Sequence, residues 1–279
     1  MNLAEMPDQY QLVLCDIWGC VHDGVRIFPA AADLLRAWRE QGRLVLLITN
    51  APRPARAVQD QLDRLGLGRG NYDHVITSGD TGLEALRDEG RTHAGFIGTA
   101  DDRRVLSETG ITLAPGPEGD VVICTGLVDG STDAADHDAM LREMKARDAR
   151  LLCFNPDRVV LRGGVAEPCA GAIAELYEAM GGTVDYYGKP YAPIYRRSLK
   201  VAERIAGRTF DSSEVAAVGD SLSTDYVGAV DAGFAFVFIT QGIEGERIDA
   251  EGTGEVIARF ASMRGVDLPE PLAVARYLG

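Results

Sequence analysis

The stretch Gln11-Leu12-Val13-Leu14-Cys15-Asp16-Ile17-Trp18-Gly19-Cys20-Val21-His22-Asp23-Gly24 decides how this chain is read. An apolar run ends on a carboxylate, and a glycine-containing loop follows. Open α/β sheets place their chemistry at that point, just past the carboxyl ends of buried strands. Two further apolar runs end the same way. Arg43-Leu44-Val45-Leu46-Leu47-Ile48 leads into Thr49-Asn50, and Glu214-Val215-Ala216-Ala217-Val218 leads into Gly219-Asp220. Gly188-Lys189-Pro190 lies between them.

Working outward, strand-like runs alternate with helical patterns, which predicts a doubly wound parallel sheet with helices on both faces. Ala31 to Gln41 carries Leu34, Leu35 and Trp38 at helical spacing and stops at Gly42. A second helix runs from about Pro54 to Leu65, stopped by Gly66, and His74-Val75-Ile76 forms a third strand ending at Thr77-Ser78-Gly79. From there to Asp185 a second α/β set appears. It includes Ala94-Gly95-Phe96-Ile97-Gly98, Val121-Val122-Ile123-Cys124, a helix near Ala135–Arg147, Arg150-Leu151-Leu152-Cys153-Phe154 and a helix near Gly171–Met180. The expected organisation is an α/β core over 1–78 and 186–279 with an inserted α/β domain over 79–185. Asp16 should stand on a central strand beside the strand of Asp220, at a topological switch point. Past Gly252, a helix is expected around Glu255–Met263 and another near Pro271–Leu278, both packing on the core.

Composition narrows the function. The 279 residues are 46% hydrophobic and 25% charged, with net charge −14, as in a soluble acidic globular protein. That charge argues against nucleic acid and anionic membrane as partners. It leaves an anionic substrate open, because a local Lys and a metal invert the sign inside a pocket. No apolar run approaches the ~18 residues of a membrane span. The start lacks a secretory pattern, and five cysteines without a Cys-x-x-Cys fit a reducing cytoplasm. Cys15 reads as a small buried hydrophobe, and Cys20, Cys124, Cys153 and Cys169 have no spacing that suggests zinc.

The strand-end residues suit phosphoryl transfer. Asp16 is the candidate nucleophile, since attack by a carboxylate splits one hard displacement into two easier ones. Thr49 offers a hydroxyl to a phosphoryl oxygen. Lys189 offers a point charge that lowers repulsion between two anions. Asp220 and Asp225, in Gly219-Asp220-Ser221-Leu222-Ser223-Thr224-Asp225, are hard oxygen ligands of the kind Mg²⁺ takes. Asp225 is expected to hold metal-bound water or to orient the loop.

At these residues the chain resembles the haloacid dehalogenase superfamily, in particular its class IIA branch of sugar-phosphate and p-nitrophenyl phosphatases. The resemblance covers nearly the whole chain. It rests on the Asp16–Gly24 segment, Ile48-Thr49-Asn50, Asn155-Pro156-Asp157, the helix start Pro168-Cys169-Ala170-Gly171-Ala172-Ile173, Gly188-Lys189-Pro190, and Gly219-Asp220 through Thr224-Asp225. It implies a Mg²⁺-dependent phosphatase acting through an aspartyl-phosphate on Asp16. The substrate would be a small phosphorylated metabolite such as a sugar phosphate, chosen by the inserted cap. It also implies that Asn155 and Asp157 lie near the cap–core boundary and contact substrate, with a turn role as the alternative. Asn50 is placed beside Thr49 for substrate binding, or it holds its loop by hydrogen bonds. Class IIA caps enter dimers in some members, which leaves a homodimer open.

One departure matters. The family's first motif reads Asp-x-Asp-Gly, with the second Asp acting as general acid and base, and here that position is Trp18. Its backbone carbonyl can still serve the metal. Its side chain cannot move a proton, a contribution worth about 10²–10⁴-fold. Three readings stay open. Asp23 or His22 supplies the proton instead, the alternative for both being a role in holding the loop. Alternatively, the enzyme works without a dedicated acid, or transfers phosphate slowly. Or the protein is a retired relative that binds a phosphorylated ligand in a regulatory role. A receiver domain shares the Asp, Thr, Lys order but is single and compact. A dinucleotide site would need Gly-x-Gly-x-x-Gly after the first strand, which is missing. Dehalogenases lack this cap placement and metal cluster.

Overall fold

The structure is a computed structural model that describes residues 2–162 and 165–279. Its strands in chain order are β1 (Leu12–Asp16), β2 (Leu44–Thr49), β3 (His74–Thr77), β4 (His93–Ile97), β5 (Thr112–Leu113), β6 (Val121–Cys124), β7 (Arg150–Cys153), β8 (Val159–Arg162), β9 (Val165–Pro168), β10 (Thr183–Tyr186), β11 (Val215–Gly219), β12 (Ala235–Ile239) and β13 (Ala273–Ala275). Contacts divide the chain into two compact units. One comprises Met1–Thr49, Gln59–Ile76 and Tyr195–Gly279; the other comprises Asn50–Val58 and Thr77–Ile194.

The first unit holds a six-stranded sheet in the order β13-β12-β11-β1-β2-β3. β1 pairs in parallel with β11 (Leu12↔Val215 to Cys15↔Val218) and with β2 (Leu12↔Leu44 to Asp16↔Ile48). Every residue of β1 is buried, as expected of a strand covered on both faces. From β1 the chain steps outward through β2 to β3, and from β11 through β12 to β13. The switch point therefore falls between the strands of Asp16 and Asp220, as the apolar runs implied. The helix Pro29–Glu40 opens with proline at its first turn, where the missing N–H is no loss, and buries Ala31, Leu34, Leu35 and Trp38. Trp38 is fully buried and donates its indole N–H to the Leu3 carbonyl at 2.9 Å. Truncating such a side chain typically costs about 3–5 kcal/mol.

The second unit holds a parallel sheet in the order β10-β7-β6-β4-β5 and the antiparallel pair β8–β9. Side chains alternate between its two faces. Val122, Cys124, Leu151 and Cys153 face Leu141 and Met144 of the helix Asp138–Ala146 and Ile173 and Tyr177 of the helix Ala170–Ala179. Val121, Ile123, Leu152 and Phe154 face Leu83 and Leu86 of the helix Ser78–Asp88.

The C-terminal expectation needs correction. Residues near Pro271–Leu278 do not form a helix; Ala273–Ala275 is the edge strand β13, paired in parallel with β12. The Leu272 N–H donates to the Phe236 carbonyl at 2.7 Å, so the open edge of β12 recruits the segment. The preceding helix spans Thr253–Arg264, and a shorter one over Gly245–Glu251 escaped the sequence reading. Helix formation near Ala135 begins as a 3-10 turn, Ala134–His137, closed by reciprocal bonds between Asp133 and Asp136.

Candidate active site

Parallel pairing puts three strand ends side by side. Asp16 closes β1, Thr49 closes β2, and Asp220 follows Gly219, the last residue of β11. All three are buried, with Asp16 5% and Asp220 6% exposed. One oxygen of each carboxylate and the Cys20 sulfur lie within 4.8 Å of one another. Two buried carboxylates this close are costly without a compensating cation. Their hard oxygens suit Mg²⁺, so this donor set fits the ion the resemblance implies.

Close packing fixes Asp220. A Cβ on Gly19, where φ is +80°, would fall 2.1 Å from Asp220 Oδ2, and one on Gly242 would fall 1.6 Å from the same oxygen. The Ile243 N–H donates to that oxygen at 2.9 Å. Only glycine at 19 and 242 lets the backbone approach so closely. Asp225 is held in a similar way. A Cβ on Gly219 would meet its carboxyl carbon at 2.2 Å, and Asp225 accepts the Ser221 N–H at 3.2 Å across the π-helical turn Leu222–Tyr226. Such turns recur at functional sites. Burial, then the charges of Asp220 and Asp16, push the Cys20 thiol well above its ordinary pKa.

The loop after Asp16 folds back on itself. The Val21 N–H donates to the Ile17 carbonyl at 2.8 Å, and the Gly19 N–H to the His22 carbonyl at 2.9 Å. Trp18 is half-buried, its ring edge-on to His22 at 5.0 Å. Gly24, at φ +86°, leaves room for it, since a Cβ there would lie 2.7 Å from the indole. His22 is buried and its Nδ1 accepts the Gly24 N–H at 2.9 Å, which puts the proton of the neutral ring on Nε2. Asp23 Oδ1 accepts the N–H groups of Val25 and Arg26, both at 2.9 Å, and the Arg26 guanidinium stands 3.4 Å from Oδ2. Partial burial raises the Asp23 pKa; the Arg26 and Val25 hydrogen bonds and the Arg26 charge outweigh it, and the net shift is downward. Asp23 is thus an ionised turn cap, a poor reservoir for a proton.

The second unit gathers Asn50, Asn155, Asp157 and Lys189. Asn50 Oδ1 accepts the Lys189 N–H at 2.7 Å, and its Nδ2 donates to the Lys189 carbonyl at 3.1 Å and to Asp157 Oδ1 at 2.9 Å. Both amide hydrogens of Asn50 are thereby engaged. Asn155 Oδ1 accepts the Asp157 N–H at 3.2 Å. A Cβ on Gly188 would lie 2.3 Å from Asn50 Oδ1, so glycine there admits the clamp. Lys189 is 3% exposed. Cys20 and the glycines around Asp220 are the site components that sequence reasoning missed. Cys20 stands four residues past Asp16 in a loop that turns back, and no ligand-spacing pattern describes that.

An open parallel sheet with buried carboxylates gathered at its switch point defines an α/β enzyme whose chemistry sits at strand ends. Comparison with known proteins narrows this. Residues 13–112 match the family described as haloacid dehalogenase-like hydrolase, and residues 186–260 match one described as HAD-hydrolase-like. A solved haloacid dehalogenase-like hydrolase from Brucella suis 1330 is 32% identical, with TM-score 0.84, covering 99% of this chain and 98% of its own. The ribonucleotide monophosphatase NagD of Escherichia coli K12 is 28% identical over 237 residues, 83% of this chain and 88% of NagD. The 5'-nucleotidase YutF of Bacillus subtilis is 22% identical over 236 residues, 84% of this chain and 88% of YutF. The chain belongs to the haloacid dehalogenase-like hydrolase family.

Proposed function

We propose that the chain is a Mg²⁺-dependent phosphatase of small phosphate esters. The observation that carries the reading is the buried pair of Asp16 and Asp220 at the switch point. The names of NagD and YutF support phosphate-ester chemistry. Asp16, Asp220 and the Trp18 carbonyl would hold the ion, with Asp225 holding a metal-bound water or orienting the loop, and the bound ion would neutralise charge on the phosphoryl oxygens. An Asp16 oxygen forms a bond to phosphorus as the bond to the leaving oxygen breaks. Thr49 and Lys189 would bind the phosphoryl group. Water then attacks phosphorus, releasing phosphate and restoring the Asp16 carboxylate.

Asp23 is occupied as a turn cap, so the leaving oxygen would take its proton from His22, whose Nε2 carries one in the neutral ring, or from solvent in an enzyme without a dedicated acid. In the second case turnover should depend steeply on the leaving group. The segment 79–185 would act as the cap that selects a sugar phosphate, a nucleoside monophosphate or a related metabolite. Asn155 and Asp157 would contribute to that selection, and Asn50 would hold Lys189. A cytoplasmic setting is supported by five cysteines that are all free and buried. Among the described residues, no helix is long and apolar enough to cross a membrane. A second reading, a ligand-binding relative with little turnover, draws on Trp18 at the acid position. Phosphate release from a panel of esters with Mg²⁺, wild type against Asp16→Asn, decides between them. Metal-dependent release lost in the variant is expected; no release above the variant would overturn the phosphatase reading.

A further inference from the structure

Cys20 stands apart from the other four cysteines. Cys15, Cys124, Cys153 and Cys169 each point their sulfur at a backbone carbonyl, those of Asp16, Gly126, Asn155 and Glu167. Among the described residues, the Cys20 sulfur makes no hydrogen bond. It is fully buried and stands within 4.8 Å of a carboxylate oxygen on both Asp16 and Asp220. A buried thiol without a partner therefore points into a pair of metal-seeking carboxylates.

We propose that Cys20 turns this pocket into a site for thiophilic divalent cations, Zn²⁺, Cd²⁺ or Co²⁺, held by its sulfur together with Asp16 and Asp220. The inference rests on the reading that those carboxylates hold Mg²⁺. Mg²⁺ takes hard oxygen ligands and gains nothing from sulfur. Zinc-like ions take thiolate and carboxylate in one tetrahedral set. Ligand atoms around such an ion stand roughly 3.5 Å apart. Three atoms already within 4.8 Å of one another reach that spacing by small side-chain shifts. On binding, the S–H bond breaks, its proton leaves to solvent and a sulfur–metal bond forms. Because the carboxylates are shared, the thiophilic ion and Mg²⁺ exclude each other. The fold thus brings a sulfur to the carboxylates where the spacing of cysteines in the sequence did not suggest a zinc site.

The test uses the full chain stripped of metal, with Co²⁺ and Cd²⁺ as probes. Wild type plus Co²⁺ should develop a near-ultraviolet thiolate-to-cobalt charge-transfer band. Excess Mg²⁺ should suppress that band, and Cys20→Ser should abolish it. Cd²⁺ affinity should fall in Cys20→Ser by at least the roughly 10–100-fold that even outer partners of a metal ligand are worth. Mg²⁺ affinity by calorimetry should not change. The cadmium-113 resonance of wild type, which needs no variant, should show one sulfur ligand. An oxygen-only cadmium shift overturns the proposal, as does a band that survives Cys20→Ser or ignores Mg²⁺. None of these readouts uses turnover. A failed phosphatase assay with a positive cobalt band would sink the enzyme reading alone, and the converse would sink this one alone.

Discussion

Replacing Asp220 by Asn should make the metal-free protein more stable while removing its response to Mg²⁺. The carboxylate oxygens of Asp16 and Asp220 lie within 4.8 Å of each other. At an effective dielectric constant near 20, two unit charges at that distance repel by about 3.5 kcal/mol. Asn removes this repulsion and keeps the shape. It also weakens the hydrogen bond from the Ile243 N–H, because a charge-assisted bond becomes a neutral one, a loss of about 1–1.5 kcal/mol. From these two contributions alone the balance is about 2 kcal/mol of added stability in EDTA. Wild type should recover stability with Mg²⁺, by about 2.7 kcal/mol at a hundredfold excess over its Kd. The variant should recover almost none. Urea denaturation followed by circular dichroism, with EDTA or Mg²⁺, measures both effects. A variant less stable than wild type in EDTA would refute the argument, because it would mean that fixed positive charge in the folded protein already outweighs the repulsion. Equal Mg²⁺ stabilisation of both proteins would refute the ligand role of Asp220.

Two other substitutions probe the neighbouring elements. Asn50→Ala should lower stability by about 3 kcal/mol, since two neutral bonds to the Lys189 backbone and one charge-assisted bond to Asp157 are lost together; a loss under about 1 kcal/mol in denaturant melts would contradict the clamp. Trp18→Asp should raise turnover of esters with poor leaving groups by up to about 10²–10⁴-fold and leave p-nitrophenyl phosphate nearly unchanged; equal effects on both substrate types would mean that proton transfer does not limit the wild type.

The fold was legible where local pattern and tertiary role agree. β1, β2 and β11 are continuous apolar runs because each is covered on both faces, and a polar residue at the end of β1 and β2 and just past the end of β11 marks where they stop. Trp38 and its helical neighbours announced the helix that follows β1. Illegible were elements fixed by pairing rather than by pattern. Ala273–Ala275 is a strand because the β12 edge accepts it, and β8–β9 is a short antiparallel pair whose residues 165–168 are largely exposed, without a clean alternation. In the site, Asp16, Thr49 and Asp220 were readable from strand ends. The engagement of Asp23 by Val25 and Arg26 was not, because one Asp-Gly pair serves a turn and a catalytic loop equally well. Gly242 was equally silent, since its reason is a carboxylate more than twenty residues earlier in the chain.

The position of Trp18 also gives the molecule its own optical probe. The chain has two tryptophans. Trp38 is sealed in the interior and bonded to Leu3, so its emission should be blue-shifted and indifferent to ligands. Trp18 is half-buried on the loop that carries Asp16 and leans against His22. Any change in tryptophan fluorescence on adding a cation or a phosphate ester would therefore originate almost entirely from the loop beside the carboxylates. Trp18 thus puts a fluorophore on the strand-end loop itself, and if the carboxylates take up a cation, its arrival should be visible by light, without a label and without turnover.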